Sequence, residues 1–140
     1  MAPLRHQVTD VVQIEPSLSM PAVIRGPRHP QLYMLINHSK SLITFRVTKP
    51  KDSAFTLYPD TDFIEPKKLA FFYIFAKAGL KPSEENLILR LKLVTGRRDH
   101  RLTLMDSQKY WAELEQKPVA FGPGEEVVVK VIRCEYRPTD

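Results

Sequence analysis

At 140 residues, 43% hydrophobic and +5 in net charge, the chain is long enough for one domain with a packed core, which excludes wholesale disorder. Twelve prolines against five glycines favour many short strands joined by rigid turns over long helices. The basic balance permits acidic peptides, phosphoinositide headgroups or nucleic acid as partners and demands none of them.

In chain order, residues 8–14 read as extended and stop at Glu15-Pro16, because the residue before a proline is steered away from helix. Leu18-Ser19-Met20 and Ala22-Val23-Ile24 flank Pro21 as a kinked edge strand, and Gly26-Pro27-Arg28-His29-Pro30 is a turn. Leu32-Tyr33-Met34-Leu35-Ile36 and Leu42-Ile43-Thr44-Phe45-Arg46-Val47-Thr48 are alternating strands joined at Asn37-His38-Ser39-Lys40. Phe55-Thr56-Leu57-Tyr58 stops at Pro59, and Phe63-Ile64-Glu65-Pro66 closes that unit. Leu69–Ala76, rich in Phe, Tyr and Ile, is expected as a strand covered on both faces.

After a loop at 77–83, Leu87, Leu89, Leu91 and Leu93 alternate with Ile88, Arg90, Lys92 and Val94, a period of two. Residues 107–116 offer Ser107 as a helix cap and place Tyr110, Trp111 and Leu114 at helical spacing, predicting one short helix with its aromatic face on the sheets. Phe121-Gly122-Pro123-Gly124-Glu125-Glu126 is a loop into a last strand at 127–132. The pattern predicts an all-β chain: an immunoglobulin-like sandwich of seven to eight strands with one short helix near the C-terminus. A small eight-stranded barrel is the rival architecture. A single domain covers 1–140, with its core at about 8–138.

Chemical motifs are sparse. His6, His29, His38 and His100 have no metal-ligand spacing with Cys134, so no metal site is expected. Without a Gly-x-Ser-x-Gly elbow or a glycine-rich phosphate loop, no catalytic residue, cofactor-binding residue or enzymatic activity is expected. Cys134 lies in an apolar strand and reads as a buried, inert thiol. As the only cysteine it excludes an internal disulfide framework and fits a reducing compartment. Met1-Ala2-Pro3-Leu4-Arg5-His6 lacks the apolar core of a signal peptide. The longest uncharged apolar run, Leu69–Ala76, is well short of the roughly 20 residues of a spanning helix. A cytoplasmic protein without a membrane span is expected.

The basic residues form the one candidate surface. Arg46 faces away from Ile43, Phe45 and Val47, and Arg90 and Lys92 face away from the leucines. If the two strands are neighbours, a basic stripe crosses the outer face of their sheet, extended by Lys49 and Lys51. Arg46, Lys49, Arg90 and Lys92 are therefore the partner-binding candidates. Asp99-His100 beside Arg97, Arg98 and Arg101 reads as a solvated turn, and without interleaved aromatics these arginines argue against nucleic acid.

Ile36-Asn37-His38-Ser39, then Phe45-Arg46-Val47, Leu57-Tyr58-Pro59 and Ile64-Glu65-Pro66 resemble the major sperm protein (MSP) domain, with spacing matched from Asn37 to Pro66. Lys109-Tyr110-Trp111 and Glu135-Tyr136-Arg137-Pro138 are similar to features of the soluble nematode sperm proteins. The resemblance covers roughly 11–138. It implies a seven-stranded sandwich without enzymatic activity that forms, or accompanies, the cytoskeletal filaments of crawling sperm. Its partners would be those filaments or a second copy of itself as a homodimer, in the cytoplasm of the sperm pseudopod. The membrane-tethered VAMP-associated branch instead binds acidic two-phenylalanine peptides on the same sheet. There Arg46 matches the first basic position and Arg90 a second. Thr48-Lys49-Pro50 replaces that branch's Lys-Thr-Thr, and Lys92 stands at an apolar position of its groove. Binding of such acidic peptides, or of phosphoinositide headgroups, is the alternative function. Tyr58-Pro59, at the corner between sheets, is a candidate cis bond.

Overall fold

A computed structural model describes residues 11–77, 81–94, 104–116 and 127–138. The expected strand start at 8–10, the arginine turn at 97–101 and the loop at 121–126 lie outside the described residues. Among the described residues nine strands run β1 (Val12–Glu15), β2 (Ala22–Ile24), β3 (Gln31–Asn37), β4 (Ile43–Thr48), β5 (Phe55–Tyr58), β6 (Thr61–Ile64), β7 (Leu69–Ala76), β8 (Ser83–Leu93) and β9 (Val128–Tyr136), with helix α1 (Leu104–Gln116) between the last two. They form two sheets, ordered β1-β3-β7-β5 and β2-β9-β8-β4-β6. The sandwich is confirmed. Its count exceeds seven to eight because β2 and β6 are separate edge strands of three and four residues.

Leu18-Ser19-Met20 forms a turn, so only Ala22–Ile24 of the expected kinked edge is strand. That strand pairs parallel with β9, whereas the other strand pairs are antiparallel. β9 also continues past 132 to Tyr136, carrying Cys134 into the core at 1% exposure. Both Tyr58-Pro59 and Glu15-Pro16 are cis.

Period-two alternation fills the space between the sheets. Leu87, Leu89 and Leu91 from β8 are fully buried, as are Phe45 from β4 and Tyr33 and Leu35 from β3. Phe72 of β7 joins the layers, stacking on Tyr33 of its own sheet (5.4 Å between centroids) and meeting Phe45 of the opposite sheet at 5.7 Å. Each such side chain contributes about 1.5–3 kcal/mol by leaving water.

The ends of the recognised motif meet at Asn37, which is fully buried. Its side-chain amide donates to the carbonyls of Ser41 (2.8 Å), Ile64 (2.9 Å) and Glu65 (3.2 Å). Its Oδ1 accepts the backbone N–H and the hydroxyl of Ser39, at 2.9 and 2.7 Å. One side chain thus ties the carbonyls of the 41 and 64–65 segments to the end of β3.

Candidate functional site

Of the expected basic stripe, the outer face of the five-stranded sheet pairs two residues, Arg46 and Arg90. β4 and β8 are neighbours, and Arg46 stands directly opposite Arg90. Arg90 donates from Nη1 to the Thr48 hydroxyl at 3.0 Å, which leans its guanidinium toward β4. Two cations on directly opposed positions cost stability unless an anion or dipole lies near them.

Lys92 is on the same face, opposite Thr44, but it is only 3% exposed. Helix α1 lies over it. The Lys92 ammonium donates to the Tyr110 hydroxyl at 2.8 Å and to the Leu93 carbonyl at 3.0 Å, and sits 5.4 Å from the Tyr110 ring centroid. Lys49 follows the end of β4 and donates to the Phe55 carbonyl at 3.0 Å, away from the stripe. The structure therefore brings Arg46 and Arg90 together, places Lys92 beneath a helix and ties Lys49 to the start of β5.

Helix α1 docks where its spacing predicts. Ser107, Tyr110 and Trp111 fall on one face, with Ser107 and Trp111 buried and Tyr110 half-buried. Trp111 donates its indole N–H to Thr44 Oγ1 at 3.0 Å, and Tyr110 meets Phe63 of β6 at 6.1 Å between centroids. The Thr61 hydroxyl, which donates to the Phe45 carbonyl at 2.9 Å, shares a 3.2 Å hydrogen bond with Ser107. Ser107 is thus an interior docking residue and not the cap, because the helix begins three residues earlier at Leu104.

The outer face of the four-stranded sheet was not singled out by its sequence. Leu69–Ala76 is not covered on both faces. Ala70, Phe72, Ile74 and Ala76 are buried, whereas Leu69 and Phe71 are 53% and 47% exposed. Across the ladder Ile36 opposes Leu69, Met34 opposes Phe71, and Leu32 and Tyr58 flank Tyr73 on its two sides. Phe71, Tyr73 and Phe75 form a row with successive centroids 5.9 Å apart. The available signal was the unbroken apolar character of 69–76, which conceals a period of two.

Titration is perturbed inside the sandwich and at its flank. Burial, with the Glu85 charge as a second cause, pushes the Cys134 thiol up to about 12. Burial, then the neighbouring Cys134, pushes the Tyr33 phenol up to about 12. Asp62, at the β6 edge, is raised by burial and partly offset by the Phe63 N–H it accepts at 2.8 Å. Among the described residues no three His, Cys, Asp or Glu side chains converge on a common point, and no helix is long and apolar enough to cross a membrane.

No family model matches the chain, and no curated protein sequence does. Solved structures do. WR4, a C. elegans MSP family member, is 13% identical, with 96% of this chain and all of that chain covered at a TM-score of 0.58. SSP-19, an MSP-domain protein-like family member of Caenorhabditis elegans, is 16% identical, covering 89% of this chain and 98% of that one at a TM-score of 0.61. A human PapD-like domain, domain 7 of CEP192, is 8% identical, covering 100% and 94% at a TM-score of 0.54. The chain thus has the immunoglobulin-like sandwich fold of the MSP family members and PapD-like domains.

Proposed function

We propose that the chain is a non-enzymatic protein-interaction module of the nematode sperm MSP cytoskeleton, forming or accompanying its filaments in the cytoplasm of the sperm pseudopod and so supporting amoeboid motility. The observation that carries this reading is the match to two C. elegans MSP family structures over nearly the whole of both chains. Motif chemistry supports it, since Asn37 reaches the carbonyls of Ile64 and Glu65 within the same sequence pattern that carries the resemblance. Fold alone does not assign function, so the surface must supply the rest. An apolar sheet face left open to water is the kind of surface that binds protein, and Leu69, Phe71 and Tyr58 provide one.

In this reading Arg46 and Arg90 form a second contact, for an acidic surface of the filament. Lys92 contributes by holding α1, its ammonium being engaged with Tyr110 and Leu93. The test is co-sedimentation with filaments assembled from purified nematode sperm filament protein. The chain should enter the pellet with polymer in a saturable manner, or change the assembly rate measured by light scattering. Neither pelleting nor an effect on assembly, at low and physiological salt, would end the reading.

A further inference from the structure

At one end of the sandwich four chain segments enclose a cavity of about 400 Å³. Val11, just before β1, and Leu93, the last residue of β8, give it apolar walls. The turn from β3 to β4 adds Lys40 and Ser41, and the turn from β6 to β7 adds Lys67. Backbone hydrogen bonds hold these segments together. The His38 N–H donates to the Val11 carbonyl at 2.7 Å, and the Lys67 N–H to the Ser39 carbonyl at 3.2 Å. The Val94 N–H closes the remaining seam on the Leu42 carbonyl at 2.9 Å. A preformed concavity of this size, apolar with a few placed polar groups, is the ordinary shape of a small-molecule site.

Lys67 occupies its place against local preference. The Lys68 N–H donates to the Glu65 carbonyl at 3.1 Å, which closes a tight turn with Pro66 and Lys67 at its centre. Lys67 has φ 62, the left-handed conformation that such a turn demands at its third position and that glycine adopts without cost. The other left-handed non-glycine residue among those described, Asp52, is of a type that tolerates it. Lysine is not, and strained backbone of this kind gathers where a side chain is needed for function. The side chain folds back over the turn, its ammonium donating to the His38 carbonyl at 2.6 Å with two further donors left.

We infer that this cavity binds a small soluble phosphate monoester with an apolar body. Charge selects the head group. Lys40 and Lys67 bring two ammonium groups to one cavity, Lys40 has no hydrogen-bond or ion-pair partner among the described residues, and none of the described lining residues is acidic. The nearby Glu65 carboxylate is taken up by Lys68 at 3.3 Å. A phosphate monoester carries about two negative charges near neutral pH and three acceptor oxygens, which matches two ammonium groups better than a single carboxylate does. The Ser41 hydroxyl, also without a partner among the described residues, adds a neutral donor. Val11 and Leu93 select the body, since bare phosphate would leave them wet. The cavity belongs to the turns at the sandwich end, so the inference goes beyond the filament reading and stands or falls apart from it.

The experiment is an amide chemical-shift titration of the full chain with phenyl phosphate, alongside inorganic phosphate and phenol. Phenyl phosphate should saturate with a dissociation constant on the order of a millimolar, as suits so small a ligand, and bind at least about tenfold more tightly than either fragment. The shifting amides should be those of Ser39, Lys40, Ser41 and Lys67. Lys40→Ala and Lys67→Gly should each weaken binding on the order of fivefold or more, whereas Lys77→Ala, at the far end of β7, should leave it within about twofold. Lys67→Gly also separates ligand binding from a structural role, because relief of the turn should hold or raise the thermal midpoint while affinity falls. No saturation by about ten millimolar overturns the inference. So does equal affinity for phenyl phosphate and inorganic phosphate, which would mean an adventitious ion only. Binding that survives both lysine variants overturns it too. Adsorption to phosphatidic acid vesicles that phenyl phosphate does not displace would replace it with a lipid surface.

Discussion

Trp111 donates its indole N–H to the Thr44 hydroxyl at 3.0 Å, and Thr44 donates in turn to the Asp62 carbonyl at 2.8 Å. This relay joins helix α1 to β4 and β6 across 67 residues of sequence. Both side chains are buried, Trp111 at 3% exposure and Thr44 at none. A buried donor without its acceptor costs more than the bond contributes when made, so the relay fixes where the helix docks.

Thr44→Val keeps the shape and removes the acceptor. It should destabilise the fold by about 1–3 kcal/mol, read as a lower urea midpoint at unchanged slope. Trp111 is the chain's single tryptophan, so its emission reports the docked helix. A red shift in the folded variant means α1 has lifted, and an unchanged spectrum with unchanged stability contradicts the relay.

Tyr110 completes the docking by accepting from Lys92. Tyr110→Phe keeps the ring over the ammonium and its contact with Phe63 but removes the hydroxyl acceptor. Hydrogen bonds to charged groups are worth about 1.5–3 kcal/mol, and a loss near the lower end is expected because Tyr110 is half-buried. Tyr110→Ala should cost clearly more, since it also strips the ring. Equal midpoints for wild type and Tyr110→Phe would show that Lys92 is held by its other contacts.

Asn37 is the most demanding position in the motif, because its amide N–H groups serve three carbonyls while its oxygen accepts from Ser39. Asn37→Asp replaces those donors with an acceptor facing acceptors, and a loss of more than about 3 kcal/mol is expected. Asn37→Ala should cost less, at about 2–3 kcal/mol, because it introduces no charge. The aspartate deficit should shrink on acidification, since the protonated carboxyl regains one donor. An acid-independent deficit would exclude this cause.

Much of this was legible in the sequence, and the parts that were not have specific physical reasons. Alternation in Leu87 to Leu93 and in Ile43 to Thr48 put Arg46, Arg90 and Lys92 on one outer face, and the ladder agrees. It could not reveal that Lys92 is covered, because its partner Tyr110 lies 18 residues on, in a layer outside the sheet. Spacing at Ser107, Tyr110 and Trp111 identified the helical face, but a serine near a helix start reads as a cap whether it caps or docks. The apolar outer face of β7 was hidden for the opposite reason. Period two is visible only when the two faces differ in polarity, and Leu69–Ala76 is apolar on both. The parallel pairing of β2 with β9 joins residues over a hundred positions apart, and three residues carry no signal for that partner.

Burial of the core thiol and phenol predicts a loss of stability at alkaline pH. Cys134 is 1% exposed and Tyr33 likewise, and burial is the first cause that pushes each to about 12. In the unfolded chain they titrate near about 8.5 and about 10. A folded pKa above the unfolded one means the contribution is complete below the unfolded value and is lost as pH rises toward the folded value. Stability should therefore be flat to about pH 8.5, then fall by about 1.4 kcal/mol per pH unit as the thiol's window opens. The slope should steepen above about pH 10, where the phenol joins. Cys134→Ala lowers the midpoint overall through a small cavity, yet it should flatten the segment between about pH 8.5 and 10. Equilibrium urea unfolding of both chains across this range is the measurement, and parallel curves would assign the alkaline loss to other groups. The same burial predicts that a thiol reagent at mildly alkaline pH modifies Cys134 only as fast as the chain opens, because the thiolate is the reactive species and the folded core suppresses it.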